Sequence, residues 1–458
     1  MDDVQMTRVA WFTPLPPVRS GIAQYSVELL PLLARTCQIE IFVESPPDDL
    51  ETNAGSVCSA HDFVWKQARN PYDVIVYQLG NSPYHDYMWP YLVRYPGLVV
   101  LHDGQFHHSR ARTLLLEGRT DDYRTEFSYN HPNTHHGVAE LGVTGLLGSL
   151  TYLWSMRRIV VDASRSVLVH NSWLANELRL ECPETPVEVV EMGVPDLSAK
   201  PGAREIVRQR HQVPDGAVLF SAFGKLTPEK RIPQILRALA PLEDKTVPWH
   251  LMLCGETVDH YDALENAQRL GISHRVSVTG YLNNDEMAAH LSAADVCFCL
   301  RWPSSRETSA SWLRFLAAGK TTVINDLVHT SDVPSLDPRD WMMVGGQHAR
   351  NDRGQSINPF CVSIDIVDED HSLAVAVARL VVDSKLRASL GAAARLAWKE
   401  RFTLERMAAG YSQIIESTRS TKVDDTRRNR LPSHLLHDGM DTLRSLLEDF
   451  DRSHQLFK

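Results

Sequence analysis

Glu307, Thr308 and Ser309 stand where a short apolar run gives way to a helix, in the stretch Asp295 to Asp326 (DVCFCLRWPSSRETSASWLRFLAAGKTTVIND). Val296 to Leu300 suit a strand buried on both faces, Pro303 breaks the loop that follows, and Ser309 to Leu316 have helical spacing. Gly319 ends that helix, and Thr321 to Ile324 resume as strand, the β-α-β order of a parallel sheet. Ligands of such sheets sit beyond the carboxyl ends of the strands, where the free N–H groups of a helix start favour negative charge. A carboxylate beside an anion site makes sense if it accepts hydrogen bonds from hydroxyls on the same ligand. A sugar joined to a diphosphate carries both. The plain alternative is a capping cluster, since Ser, Thr and acids are favoured in a first turn.

A second constellation carries the matching charge. Ala217 to Ala222 have the composition of a strand, followed by Gly224, Lys225, Leu226, Thr227, Pro228, Glu229, Lys230 and Arg231, then the amphipathic run Ile235 to Leu239. Three cations between a buried strand and a helix start are costly as core and ordinary as surface. As a phosphate clamp they offset the charge that builds on a departing diphosphate.

At these two places the sequence resembles the family 4 (group 1) retaining glycosyltransferases, which have the GT-B architecture. Gly224, Lys225 and Lys230 match the family's opening of the second domain, and Glu307 with Pro303 and Ser304 matches its later signature. Arg8 to Leu33 (RVAWFTPLPPVRSGIAQYSVELLPLL) resembles the family's first strand, glycine loop and first helix. Val190 to Pro195 resembles the interdomain crossing, and Phe402 to Ile415 the terminal helix that packs back on the first domain. The resemblance spans about residues 7 to 417. It implies two Rossmann-like, doubly wound parallel-sheet α/β domains facing a cleft, with a C-terminal helical extension, and metal-independent transfer from a nucleotide sugar. One position departs: the family usually has a second Glu eight residues after the first, which resemblance would assign to the donor ribose, and here stands Phe315. The neighbouring Arg314 cannot accept hydrogen bonds.

Gly21 sits in the turn RSGIAQY before the first helix, and resemblance puts it near the donor diphosphate and the acceptor. His102, Asp103 and Gly104 follow the fourth expected strand of the first domain, and resemblance places His102 beside the transferred sugar. Its alternative is a satisfied structural histidine. Gly80, Asn81 and His85 follow the third expected strand and, with Asp103, could line the acceptor side. His107, His108, His131, His135 and His136 tempt a metal reading, but Pro132 breaks the helix it needs and no carboxylate or cysteine sits at ligand spacing.

The elements that must position these residues follow from alternation along the chain. Val9 to Phe12, Ile39 to Val43, Val74 to Gln78, Leu98 to Leu101 and Val167 to His170 are candidate parallel strands of a first domain. Val218 to Phe223, Trp249 to Cys254, Val276 to Thr279, Val296 to Leu300, Thr321 to Ile324 and Val362 to Ile364 make a second. The expected organisation is an acceptor domain over 1–195, a nucleotide-sugar domain over 196–398, a helix over 399–420 packing back on the first domain, and a linker with an amphipathic helix over 421–458. That last helix would align Leu436, Met440, Leu443, Leu447 and Phe450 in a stripe for packing or self-association. Leu141 to Met156, uncharged and too short to span a bilayer, is expected as a buried helix, with a groove for a lipid-linked acceptor as the alternative.

Composition agrees. The 458 residues are 43% hydrophobic, enough for two cores, and the formal net charge of −10 argues against a general nucleic-acid binder. Seven cysteines, mostly inside apolar runs, fit reduced core residues of a cytoplasmic protein. The start MDDVQMTRVAWF is too acidic for a signal peptide. The expected activity is retaining transfer of a sugar from a nucleotide-diphosphate sugar to a hydroxyl acceptor, a glycan, a lipid-linked saccharide or a small molecule. No cofactor and no metal are expected. Glu307 would grip donor hydroxyls, Lys225 and Lys230 would hold the diphosphate, Thr308 and Ser309 would offer N–H groups, and Gly21 and Gly224 would admit the phosphates. Two alternatives use the same fold: a catalytically silent nucleotide- or glycan-binding protein, and a phosphate-dependent phosphorylase.

Overall fold

The computed structural model describes residues 6–46, 53–197, 199–243, 247–346, 357–422, 425–437 and 446. The chain forms two compact α/β units. The first comprises 1–190, 305–307 and 410–458, and the second 191–304 and 308–409.

In the first unit, β1 (Thr7–Phe12), β2 (Cys37–Val43), β3 (Ser56–Ser59), β4 (Val74–Leu79), β5 (Leu98–Leu101), β6 (Ser166–Val169) and β7 (Val187–Val189) pair in the order β3-β2-β1-β4-β5-β6-β7, all parallel. Every residue of β4, β5 and β6 is buried, as helices on both faces of a parallel sheet require. Aromatic packing consolidates one face: Phe12 lies 5.2 Å from Phe42, 5.0 Å from Phe63 and 4.9 Å from Tyr77.

The second unit repeats the plan. β8 (Val218–Phe223), β9 (Trp249–Cys254), β10 (Val276–Val278), β11 (Val296–Cys299), β12 (Thr321–Asp326), β13 (Ser335–Leu336), β14 (Met343–Val344) and β15 (Cys361–Asp365) run β10-β9-β8-β11-β12-β15-β13-β14, with only β13 and β14 antiparallel. Phe220 and Phe298, on adjacent strands, stack at 5.7 Å inside its core. The eleven strands expected from apolar runs are present. β3, β7, β13 and β14 were missed because each has four residues or fewer and no apolar run to announce it. All seven cysteines are free thiols, and five are buried.

Two expectations fail. Leu141 to Met156 is not a buried helix: helix Gly137–Val143 stops, and a 3-10 turn Gly148–Leu153 follows. Gly145 (φ 73°) and Gly148 (φ 50°) take left-handed backbone that interrupts the helix, and Leu146, Leu150 and Leu153 are exposed. Nor is the described part of 421–437 a loose linker. Arg427 is buried and donates to Thr185 Oγ1, Leu431 joins the first unit's core, and His434 Nε2 lies 2.9 Å from Glu126 Oε1. The polar composition concealed this because the anchoring groups are single residues spaced four and three apart. Helix Leu404–Ser420 covers the expected terminal helix, and Thr418 in its last turn bonds Ser166 at 2.7 Å within the first unit. Met440, Leu443, Leu447 and Phe450 lie outside the described residues.

Docking of the C-terminal segment is testable. Leu431→Ala should destabilise the protein by about 2–5 kcal/mol, the range for truncating a core leucine, measured by urea unfolding. A loss within about 0.5 kcal/mol, the usual effect of an exposed substitution, would return the segment to a linker.

Candidate functional site

In the second unit strand order reverses beside β8, where β9 and β11 flank it, and the loops leaving β8 and β11 carry the sequence candidates. Gly224 follows β8 with φ 99°. A side chain there would collide with the Lys230 ammonium, which donates to the Phe223 carbonyl at 2.6 Å, so the loop curls this cation over the strand end. Lys225 is exposed beside it. The third cation does not join them. Arg231 is held by both oxygens of the nearly buried Glu369 (Nε to Oε1 2.9 Å), which sets it apart from the two lysines.

The loop after β11 is tied to the lysine loop by a backbone bond from Trp302 N to Glu229 O, 2.8 Å. It ends at helix Ala310–Ala317, whose N-cap is Ser309, its hydroxyl accepting from Trp312 N at 3.3 Å. Ser309 therefore caps, Thr308 precedes it, and Glu307 lies two residues before the N-cap, with no acid in the first turn. The capping role expected of this cluster falls on Ser309, and Glu307 stands ahead of the cap.

Residues 305–307 belong to the first unit. Gly104 N donates to Ser305 O at 2.7 Å, and a Cβ on Gly104 would meet that oxygen at 2.8 Å, so only glycine permits this approach. Arg306 holds a left-handed backbone (φ 58°), its carbonyl accepts from Asn171 Nδ2 at 3.1 Å, and its guanidinium lies 3.1 Å from Glu177. A non-glycine residue in that conformation costs about 1–2 kcal/mol, a local strain held by these contacts directly before Glu307. The segment bearing Glu307 thus joins the end of β5, two residues from His102.

His102 is almost enclosed. Its Nε2 lies 2.7 Å from Gln78 Oε1, and because that oxygen only accepts, Nε2 carries the proton. Tyr25 meets the ring edge-on at 4.7 Å and His170 lies at 5.3 Å. Burial pushes its pKa well below the ordinary value, with the neighbouring His170 adding to the effect, so it is neutral. Asp103 Oδ2 accepts from Asn81 N at 2.8 Å, and Asn81 Oδ1 accepts from Ser109 N at 2.9 Å. His85, buried, donates from Nδ1 to the Gln78 carbonyl at 2.9 Å. A Cβ on Gly80 would touch both His85 Nε2 and Asp103 Oδ2, which puts Asn81, His85, His102 and Asp103 in one cluster at the ends of β4 and β5. Gly21 begins helix Gly21–Leu33 behind the Ser20 N-cap, with open space around its Cα. Gln78, Tyr25 and His170 were not foreseen. A polar Gln closing an otherwise apolar strand was the available signal. His107 and His131, tempting as metal ligands, are engaged: His107 bonds the Trp154 carbonyl and the Tyr123 hydroxyl, and His131 Nε2 accepts from Met156 N.

Phe315 faces the second unit's core, 1% exposed and 5.3 Å from Phe223 at the end of β8. A carboxylate at this side chain's place would be buried against an aromatic ring.

Residues 203–313 match the family described as Glycosyl transferases group 1. That segment contains Gly224, Lys225, Lys230 and Glu307, and it bears out the sequence resemblance to group 1. No curated protein matches the chain. Solved structures share the fold. Anabaena HepE, in complex with UDP and glucose, superposes with TM-score 0.59 at 12% identity over 90% of this chain and 100% of its own. Sucrose-phosphate synthase from Thermosynechococcus elongatus gives 0.61 at 13% over 90% and 98%. A glycosyltransferase from Rickettsia africae gives 0.60 at 12% over 91% and 100%. At these identities the likeness establishes the GT-B fold.

The buried histidines set a pH limit. Burial lowers His85, His107, His131 and His170 from 6.5 to about 4, and His102 well below 6.5. Above pH 6.5 these groups are neutral folded or unfolded. Below it the unfolded chain binds protons that the folded chain refuses, so stability falls with pH, by about 1.4 kcal/mol per pH unit for each fully protonated site. Urea midpoints should decline from near pH 6.5 towards about pH 4; midpoints constant down to about pH 5 would contradict the burial of these groups.

Proposed function

We propose that this protein is a retaining glycosyltransferase that moves a sugar from a nucleoside diphosphate sugar to a hydroxyl acceptor without a metal ion. The observation that carries the reading is the pair of lysines on the left-handed Gly224 loop, tied by a backbone bond to the loop that presents Glu307, inside the segment that matches group 1 glycosyltransferases. In the reaction the bond between the anomeric carbon and the diphosphate oxygen breaks, a bond to the acceptor oxygen forms, and the acceptor's hydroxyl proton passes to the departing diphosphate. Lys225 and Lys230 offset the charge on the departing diphosphate, the task a divalent cation would otherwise perform. Glu307 accepts hydrogen bonds from sugar hydroxyls. Neutral His102, with its proton fixed on Nε2 by Gln78, leaves Nδ1 as an acceptor beside the sugar. The acceptor lies against Asn81, His85 and Asp103. A UDP-sugar is the first donor to test, because HepE structures contain UDP, glucose and UDP-glucose. With Phe315 buried, the ribose is read by backbone groups or other side chains.

A silent binding protein is the second reading, favoured by Phe315 where an acid is usual. It shares every binding feature, and turnover of a nucleotide sugar separates the two.

Two substitutions test the roles. Replacing Lys225 or Lys230 by Ala should cost about 2.7–4 kcal/mol of transition-state stabilisation, by analogy with losing an oxyanion donor, read as kcat/KM. Wild-type turnover in the double variant would remove the clamp. Glu307→Gln keeps the shape but turns an acceptor into a donor, and transfer should fall at least about tenfold with Tm unchanged. Unchanged transfer with lowered Tm would make Glu307 structural.

A further inference from the structure

A cavity of about 510 Å³ opens on the first unit, walled by none of the residues assigned to the donor. Three tyrosines line it, Tyr87, Tyr91 and Tyr95, spaced four apart along helix Met88–Arg94 and its two flanking residues, and therefore on one face. Glu44, just past β2, His61 and Arg94 add an acid, an imidazole and a cation. The tyrosines are braced from behind. Tyr87 donates to the carbonyls of Thr13 (3.2 Å) and Phe42 (3.1 Å), Tyr91 lies 5.3 Å from Phe12, and Tyr95 packs 5.1 Å from Phe63. Such a wall is formed before any ligand arrives, so little conformational entropy is lost on binding.

The lining selects a ligand class. A phosphate-bearing ligand would meet Glu44 and find one arginine, which already donates to the His437 carbonyl at 2.9 Å. A hydrocarbon chain would use the tyrosines but none of the three polar groups. A sugar uses all of them: its C–H face lies on aromatic rings, while its hydroxyls donate to a carboxylate and accept from guanidinium and imidazole. The volume lies within the range of small-molecule sites, about 300–1,000 Å³. The cavity is also continuous with the acceptor-side cluster in sequence, since Tyr87 closes the same connection after β4 that carries Asn81 and His85, and its hydroxyl reaches the carbonyl just past β1. We propose that this cavity is a glycan subsite that holds a sugar residue of the acceptor at a remove from the hydroxyl that reacts. It rests on the transfer reading in taking the acceptor to be a glycan.

The test uses the full chain without nucleotide. Saturation-transfer NMR and calorimetry would be run with short oligosaccharides of glucose, galactose, mannose and N-acetylglucosamine, and with decyl phosphate as the apolar control. Val64, a half-exposed lining residue, allows the cavity to be filled without touching its braced wall. At least one saccharide should bind, Val64→Trp should abolish that binding, and Glu44→Gln should weaken it about tenfold. Transfer to a monosaccharide acceptor should stay at wild-type level in both variants. No saccharide binding, binding indifferent to Val64→Trp, or binding of decyl phosphate alone would each overturn the subsite. Saccharide binding that obeys both variants in a protein with no turnover would sink the transferase reading and leave a glycan site in place.

Discussion

The reversal of strand order, beside β1 in the first unit and beside β8 in the second, is the constraint on which the rest of the molecule depends. Where neighbouring parallel strands send their chains to opposite faces of a sheet, the backbone at their carboxyl ends parts and leaves room that no helix fills. Apart from His102 and Asp103, which follow β5 one strand further on, the candidate groups follow the strands at these reversals. Gly21 follows β1, Asn81 and His85 follow β4, and His102 follows β5; Gly224 and the two lysines follow β8, and Glu307 follows β11. The buried strands supply the rigidity that loops alone would lack. The backbone bond from Gly104 to Ser305 adds the stretch bearing Glu307 to the first unit.

The two units differ in electrostatic character. In the first, burial keeps a set of histidines neutral, so they offer single donors and acceptors of fixed orientation, suited to hydroxyls. In the second, one lysine is folded over a strand end and another stands exposed, which suits a diphosphate, while the nearest arginine is neutralised by Glu369.

Much of this was legible from the sequence because the strands are apolar runs and the candidates follow them directly. Gly224, Lys225 and Lys230 stood out as glycine and charge beside a strand, and Glu307 as an acid near a helix start. Burial partners were not legible. Gln78 and Tyr25 around His102 come from separate elements, and Glu369, which sets Arg231 apart from the two lysines, lies 138 residues away. Leu431 and Arg427 belong to a segment whose polarity resembled a linker. The tyrosine cavity also escaped notice, since Tyr87, Tyr91 and Tyr95 share a face only once the helix is known and meet Glu44 and His61 only in the folded sheet. Short edge strands such as β7 had too few residues to show a period.

Hydrogen exchange by mass spectrometry, on the full chain with and without UDP-glucose and UDP, tests the central claim most directly, because it asks whether the two strand-end loops serve one ligand. The account predicts slowed exchange in both segments, 223–231 and 304–312, with UDP-glucose. UDP should protect the lysine loop but protect the stretch bearing Glu307 less, since that stretch answers to sugar hydroxyls. No protection in either segment across a panel of nucleotide sugars, or protection confined to other strand ends, would contradict it.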